Sequence, residues 1–406
     1  MKVKAFAALR PPVEIVQLVA SVPYDTVDTE EARALADGNP CSLLRISRPE
    51  IDFPKGTDIY SPHVYQRAVE NLSKFREEKI LVQESMPYVY VYRQKMGSHV
   101  QRGIVTCCHI EDYANNLIRK HEKTRQDKED DRTRHVKMLK ANTGPVFLAY
   151  RDVRAIDEIV SAVERQKPLY DFTAPDGISH TVWRADSDTD RLVQEFGKVS
   201  VSYIADGHHR AAAAARAGME MRKANPAHNG TEEYNWFLAV LFPAGQLRIL
   251  PYNRIVLDLN GMTEGDFLKA VGKKFKISVG ASPDPKALRT ASMYLAGKWY
   301  GLSWEPGKAI DPVQALDVSF LQNNLLDPLL GIKDPRTDKR IEFVGGIRGT
   351  GELVKRVDSG KGVVAFSMYP VTVDQMMAIA DAGSVMPPKS TWFEPKLRSG
   401  LLIHTL

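Results

Sequence analysis

The run Val201-Ser-Tyr-Ile-Ala-Asp-Gly-His-His-Arg210, followed at once by Ala211 to Ala215, constrains this chain more than any other stretch. Val201 to Ala205 is short, apolar and β-prone, and Asp206-Gly207 is a turn signal. The alanines with Arg216 are strong helix formers, and Gly218 reads as the C-terminal cap. The pattern predicts strand, tight turn, helix. A helix start carries unpaired N–H groups and the positive end of the macrodipole, so it attracts anions. His208, His209 and Arg210 add donors and charge at that spot, next to Asp206, and Gly207 permits close approach to the backbone. Adjacent histidines rarely point at one ion, and no carboxylate-plus-cysteine set accompanies them, so no metal site is expected. The chemistry fits an anion, phosphate first.

Ile204-Ala-Asp-Gly-His-His-Arg210 resembles the phosphate-binding signature of the ParB/sulfiredoxin-like fold, in the form carried by the free serine kinases. Over nearly its whole length the chain is also similar to a widespread bacterial ParB-like family of unknown function. The shared motifs are Lys2 to Pro12, His121-Glu-Lys-Thr-Arg125, Asp130-Asp-Arg-Thr-Arg-His135 and Pro387 to Lys396. The resemblance implies a mixed α/β (α+β) fold with a ParB/sulfiredoxin-like nucleotide-binding core. A change of texture near residue 260 divides that core, with insertions over 1–260, from an α/β C-terminal domain over 261–406 that completes the cleft.

At 406 residues the chain exceeds one ordinary core. Hydrophobic residues at 43% and charged ones at 26% describe a soluble globular protein. A net charge of +5 is small for this length and argues for neither nucleic acid nor membrane partners. No apolar run approaches the roughly 20 residues of a membrane helix. The start shows no signal-peptide pattern, and three cysteines make no disulfide framework, so a cytoplasmic protein is expected.

Asp28-Thr-Glu-Glu31 reads as a capping box, which accounts for Asp28 and Glu31 but leaves Asp25 and Glu30 over. In the free serine kinases an acidic residue in the corresponding region activates the substrate hydroxyl. The resemblance therefore makes Asp25 or Glu30 the candidate base, without choosing between them, and His208 joins them as a catalytic candidate. Cys41 to Ile46 looks like a buried strand, and the segments 88–92 and 103–108 like a hairpin.

Arg119 to His135 has no apolar stripe. As one helix it would place His121, Arg125, Lys128, Arg132 and His135 on a single cationic face. The pairs Arg125–Glu129, Asp130–Arg134 and Asp131–His135 would support it at i,i+4. We read His121, Arg125, Arg132 and His135 as a second wall of the anion site. Gly345 to Gly351 fits neither glycine-rich nucleotide fingerprint and reads as a strand-to-helix turn. Pro387-Pro-Lys-Ser-Thr391 resembles a segment that helps hold the amino acid in the serine kinases, so Lys389, Ser390 and Thr391 become candidate substrate-binding residues. Trp392-Phe393 departs from the polar residues found there.

The leading expectation is a phosphotransferase using ADP or ATP, with Mg²⁺, on a small hydroxylated metabolite. The alternative is a nucleotide-binding, ParB-like regulatory or DNA-associated protein, against which stands the lack of a helix-turn-helix signal. A sulfiredoxin-like reductase would need a reactive cysteine near the motif, and Cys107-Cys108 reads as core instead.

Overall fold

The computed structural model of the chain describes residues 1–306 and 311–406. These form two compact units: Met1–Leu247 with Pro395–Leu406 (unit 1), and Arg248–Glu394 (unit 2). The division thus falls before residue 260, and the last residues return to unit 1. Two strand pairings explain this. Tyr252–Val256 pairs along both edges, with Ile341–Gly345 and with Val364–Met368. His404–Thr405 pairs with Ala141–Asn142.

Unit 1 is built on a nine-stranded mixed sheet. Its strands are β1 (Val3–Lys4), β2 (Tyr90–Met96), β3 (His99–His109), β4 (Ile118–Arg119), β5 (Val146–Tyr150), β6 (Tyr170–Thr173), β7 (Ser179–Arg184), β8 (Ser202–Asp206) and β9 (Trp236–Pro243). Their order is β4-β8-β5-β9-β3-β2-β7-β6, with β1 beside β3. The β4–β8 and β5–β9 pairs are parallel and the rest antiparallel. The expected hairpin is β2–β3, turned at Gly97 with φ +59°. In unit 2, β10 (Tyr252–Val256), β11 (Lys276–Val279), β12 (Thr290–Leu295), β13 (Lys298–Ser303), β14 (Ile341–Gly345) and β15 (Val364–Met368) lie in the order β11-β13-β12-β15-β10-β14. Gly345 to Gly351 is the expected strand-to-helix turn, leading from β14 into the helix Gly351–Asp358.

Three helices of unit 1 position the site: α1 (Pro62–Glu77), α2 (Gln126–Leu139) and α3 (His208–Ala224). The alanine face of α3 packs into the core formed by Ile104, Leu148, Ile204 and Leu241. Gly218 does not end α3; it lies inside it. A Cβ there would stand 2.2 Å from the Tyr234 carbonyl oxygen, so glycine is required by close backbone packing. Helix propensity alone would make Gly218→Ala stabilising by about 1 kcal/mol. We expect the reverse, a loss of about 1–3 kcal/mol from overpacking, read from urea denaturation.

Two other expectations give way. Cys41 to Ile46 is a turn entering the short helix Leu44–Ser47, because a short apolar run does not distinguish a buried strand from a buried helix. The charged segment becomes helical only at Gln126. Ile118–Arg119 is sheet, and Arg125 is extended at the helix N-cap, with φ −89° and ψ 131°.

Candidate functional site

The strand–turn–helix expected around residue 207 forms from β8, Gly207 and α3. Gly207 has φ +90°, and a Cβ on it would lie 2.9 Å from the Arg210 guanidinium carbon. The position therefore demands glycine twice, for its dihedral and for the guanidinium lying against it. The first N–H groups of α3 have no partner within the helix.

Arg210 is buried and gathers the surrounding charge. Its guanidinium donates to the Pro145 carbonyl and, at 3.2 Å, to Asp206 Oδ2. It stands 3.6 Å from Asp25 Oδ2, while its Nε has no hydrogen-bond partner. Lys396 Nζ lies 3.6 Å from the same Asp206 oxygen. Burial alone would raise the Asp206 carboxyl, but Lys396 and Arg210 hold it below the ordinary carboxylate range. The result is a run of alternating charge, Asp25–Arg210–Asp206–Lys396.

α2 supplies the facing groups. Arg132 donates from Nε to Asp131 Oδ2 at 2.8 Å and from Nη1 to the Ser47 carbonyl at 3.2 Å, with its guanidinium 4.4 Å from the centre of the Tyr24 ring. His135 donates from Nε2 to the Ile46 carbonyl at 2.9 Å, which leaves Nδ1 as an acceptor. Burial, then the neighbouring Arg132, push its pKa down to about 3, so the ring is neutral. Arg132, His135 and Arg210 line one cavity of about 40 Å³, with Tyr24, Asn142, Thr143 and Ser399. At about 10–15 Å³ per water, that space holds a few waters or one tetrahedral oxyanion, and not a whole nucleotide.

The other sequence candidates are distributed differently. His208 is buried with its ring edge-on to His121, centroids 4.5 Å apart, and its Nε2 accepts the His121 N–H at 3.5 Å. Burial, then His121, lower its pKa well below the usual value. Burial likewise takes His121 down to about 4. His209 accepts the Arg125 N–H at Nε2, 3.0 Å away. The Arg125 side chain is largely exposed and pairs with Asp127 rather than Glu129. Asp130 reaches Arg216 on α3, and Asp131 reaches Arg132 and Tyr65. The anticipated i,i+4 pairs are thus replaced mostly by bonds to other elements.

Asp28 and Glu31 make the expected capping box. Glu30 is half exposed and pairs with Lys55 at 2.6 Å, so Asp25 alone of the two stands at Arg210. Lys389, Ser390 and Thr391 belong to unit 2. There Lys389 lies 5.3 Å from the Tyr252 ring centre, and Ser390 Oγ donates to the Pro387 carbonyl at 2.7 Å. Cys107 and Cys108 are fully buried, and burial pushes both thiols up, which disfavours the thiolate. Tyr24, Asn142, Thr143, Ser399 and Lys396 were not singled out by sequence reasoning. Only Lys396 carried a signal, as the last residue of the Pro387–Lys396 motif.

The chain belongs to the family described as a protein of unknown function (DUF1015), whose model matches residues 3–319. No curated protein matches it. Among solved structures it is similar to a free serine kinase mutant in complex with AMP, at 12% identity, covering 73% of this chain and 92% of that one, with a TM-score of 0.36. It is similar to a conserved hypothetical protein from Pyrococcus furiosus at 12% identity, over 73% and 94% of the two chains, with a TM-score of 0.35. A C-terminally truncated SbnI from Staphylococcus aureus gives 9% identity, 74% and 86% coverage and a TM-score of 0.37. Likenesses of this size assign no residue a role.

Proposed function

We propose that unit 1 is a phosphotransferase of ParB/sulfiredoxin-like type that moves a phosphoryl group from ADP or ATP to a small hydroxylated metabolite. The observation that carries this reading is the joining of Arg132 and Arg210 at one small cavity, with Asp25 3.6 Å from the Arg210 guanidinium. The cavity fits one phosphoryl group, so the nucleoside lies outside it. In the transfer, the acceptor oxygen forms a bond to the terminal phosphorus as the bridging P–O bond breaks. The nucleotide leaves one phosphate shorter. The hydroxyl proton passes to Asp25, and the two guanidiniums offset charge on the transferring oxygens.

Among the described residues no group of three or more histidine, cysteine or carboxylate side chains could hold a metal ion. Mg²⁺ would therefore arrive on the nucleotide's own phosphates, where it lowers their charge. Lys389, Ser390 and Thr391 as acceptor-binding residues rest on the resemblance alone.

The test is incubation with Mg²⁺, ADP or ATP, and serine or a panel of hydroxylated metabolites, with product read by mass spectrometry. Asp25→Asn is expected to lower the rate by about 10²–10⁴-fold, the usual contribution of a general base. Glu30→Gln is expected to leave it within about twofold, as its distant ion pair implies. No product from any acceptor, or equal rates in the two variants, rejects the reading.

A further inference from the structure

We propose that unit 2 carries a ligand site of its own, a pocket around Arg254 that binds a small organic oxyanion, a carboxylate or a phosphate monoester. Arg254 lies on β10, between β14 and β15, and the residue is only 4% exposed. It makes no ion pair among the described residues. Its guanidinium donates to the Tyr252 carbonyl and sits 5.4 Å from the centre of the Phe343 ring, its direct cross-strand neighbour. Burial alone takes its pKa down to about 10, so it remains charged at neutral pH.

A buried charge is ordinarily paired, and a guanidinium carries five N–H donors in a planar fork suited to an oxyanion. Those donors need not all be met within the protein, because Arg254 lines a cavity of about 160 Å³. A cavity of roughly 150 Å³ takes benzene, so this one takes an acid with a compact apolar body. Val318, Leu326, Phe343 and Pro387 supply the apolar wall. Gln322 and Asn323 supply the polar one. The Gln322 amide N–H₂ is committed to the Ile332 carbonyl at 2.6 Å, and that of Asn323 to Gln314 at 2.9 Å. Their carbonyl oxygens are acceptors, suited to a hydroxyl or amine on the ligand. Among the described residues no carboxylate lines the cavity, and Arg254 is its one charged group.

This site does not depend on the phosphotransfer reading, and its test uses binding rather than turnover. Benzoate and phenyl phosphate, with benzamide as the uncharged control, are titrated calorimetrically into the full-length protein. The variants are Arg254→Gln, which removes the charge, and Val318→Phe, which fills the cavity and keeps Arg254; circular dichroism checks the folding of each. At least one oxyanion is expected to bind with Kd below about 10 mM while benzamide does not, and to weaken about tenfold or more in each folded variant. Benzoate alone would mark a carboxylic acid site, and phenyl phosphate a phosphomonoester site. Failure of both oxyanions to bind, equal binding of benzamide, or a loss smaller than tenfold in a folded variant overturns the proposal. Should Arg254→Gln not fold, the Val318→Phe result decides.

Discussion

Replacing Arg210 with methionine is expected to destabilise unit 1 by about 3–5 kcal/mol, the scale for breaking a buried ion pair from one side. Methionine keeps most of the side-chain volume, so the loss is electrostatic rather than a cavity effect. Asp206 and Asp25 lose the cation between them, and the Pro145 carbonyl loses its donor. Lys396 at 3.6 Å remains for Asp206 but not for the carbonyl. Urea denaturation of the full chain measures the loss. In an Asp206→Asn background the same change is expected to cost less, because one of the two stranded charges is gone. A loss under about 1 kcal/mol would mean that the pair is screened like a surface bridge.

The second large effect is acid sensitivity. His121, His135 and His180 are buried in unit 1, and burial pushes their pKa values down to about 4, 3 and 3. His180 is held neutral between stacked rings of Tyr92 and Phe172, and its Nδ1 meets the Tyr92 hydroxyl at 2.7 Å. The folded values lie below the unfolded value of about 6.5, so the unfolded chain binds more protons between them. Their stabilisation is complete above about pH 6.5 and is lost as pH falls to about 4 for His121 and about 3 for His135 and His180. Each histidine contributes a slope of about 1.4 kcal/mol per pH unit, so the three together give about 4 near pH 5. Thermal melts at pH 7, 6 and 5 are expected to show a steeply falling Tm. His135→Asn removes one titrating group while keeping a donor for Ile46, and should flatten the slope by about 1.4 kcal/mol per pH unit near pH 5, the share of one histidine. A Tm unchanged between pH 7 and 5 would contradict the buried neutral state.

Both effects arise in a region that local sequence described only in part. The turn at Gly207 was legible because its cause is local: an apolar run, Asp-Gly, then alanines. Gly218 was misread because its cause is the Tyr234 carbonyl, which only the folded chain brings near. Arg132 and His135 were legible as residues of interest, but the sequence reading made both cations, and burial leaves the His135 ring neutral. Their mode of holding was not legible, since Tyr24, Ser47 and Ile46 come from a different part of the chain. The choice between Asp25 and Glu30 was likewise closed to spacing arguments. Spacing says nothing of tertiary packing, which sets Asp25 beside Arg210 and Glu30 beside Lys55. Arg254 was not legible as a site residue, because nothing local in Pro251-Tyr-Asn-Arg254 shows that the arginine is buried in a central strand.

The most direct test of the central claim is calorimetric titration of ADP, with Mg²⁺, into the wild-type protein and Arg132→Gln. Arg132 lines the cavity, and its side chain touches Asp131, Ser47 and Tyr24. Removing one charge-assisted contact to a phosphoryl oxygen is expected to weaken binding by about 1–3 kcal/mol, or roughly 5- to 150-fold. Replacing the exposed Lys167 by glutamine is expected to change it by less than about twofold, as for a screened surface charge. A folded Arg132→Gln protein that binds ADP as tightly as the Lys167→Gln control would contradict the account.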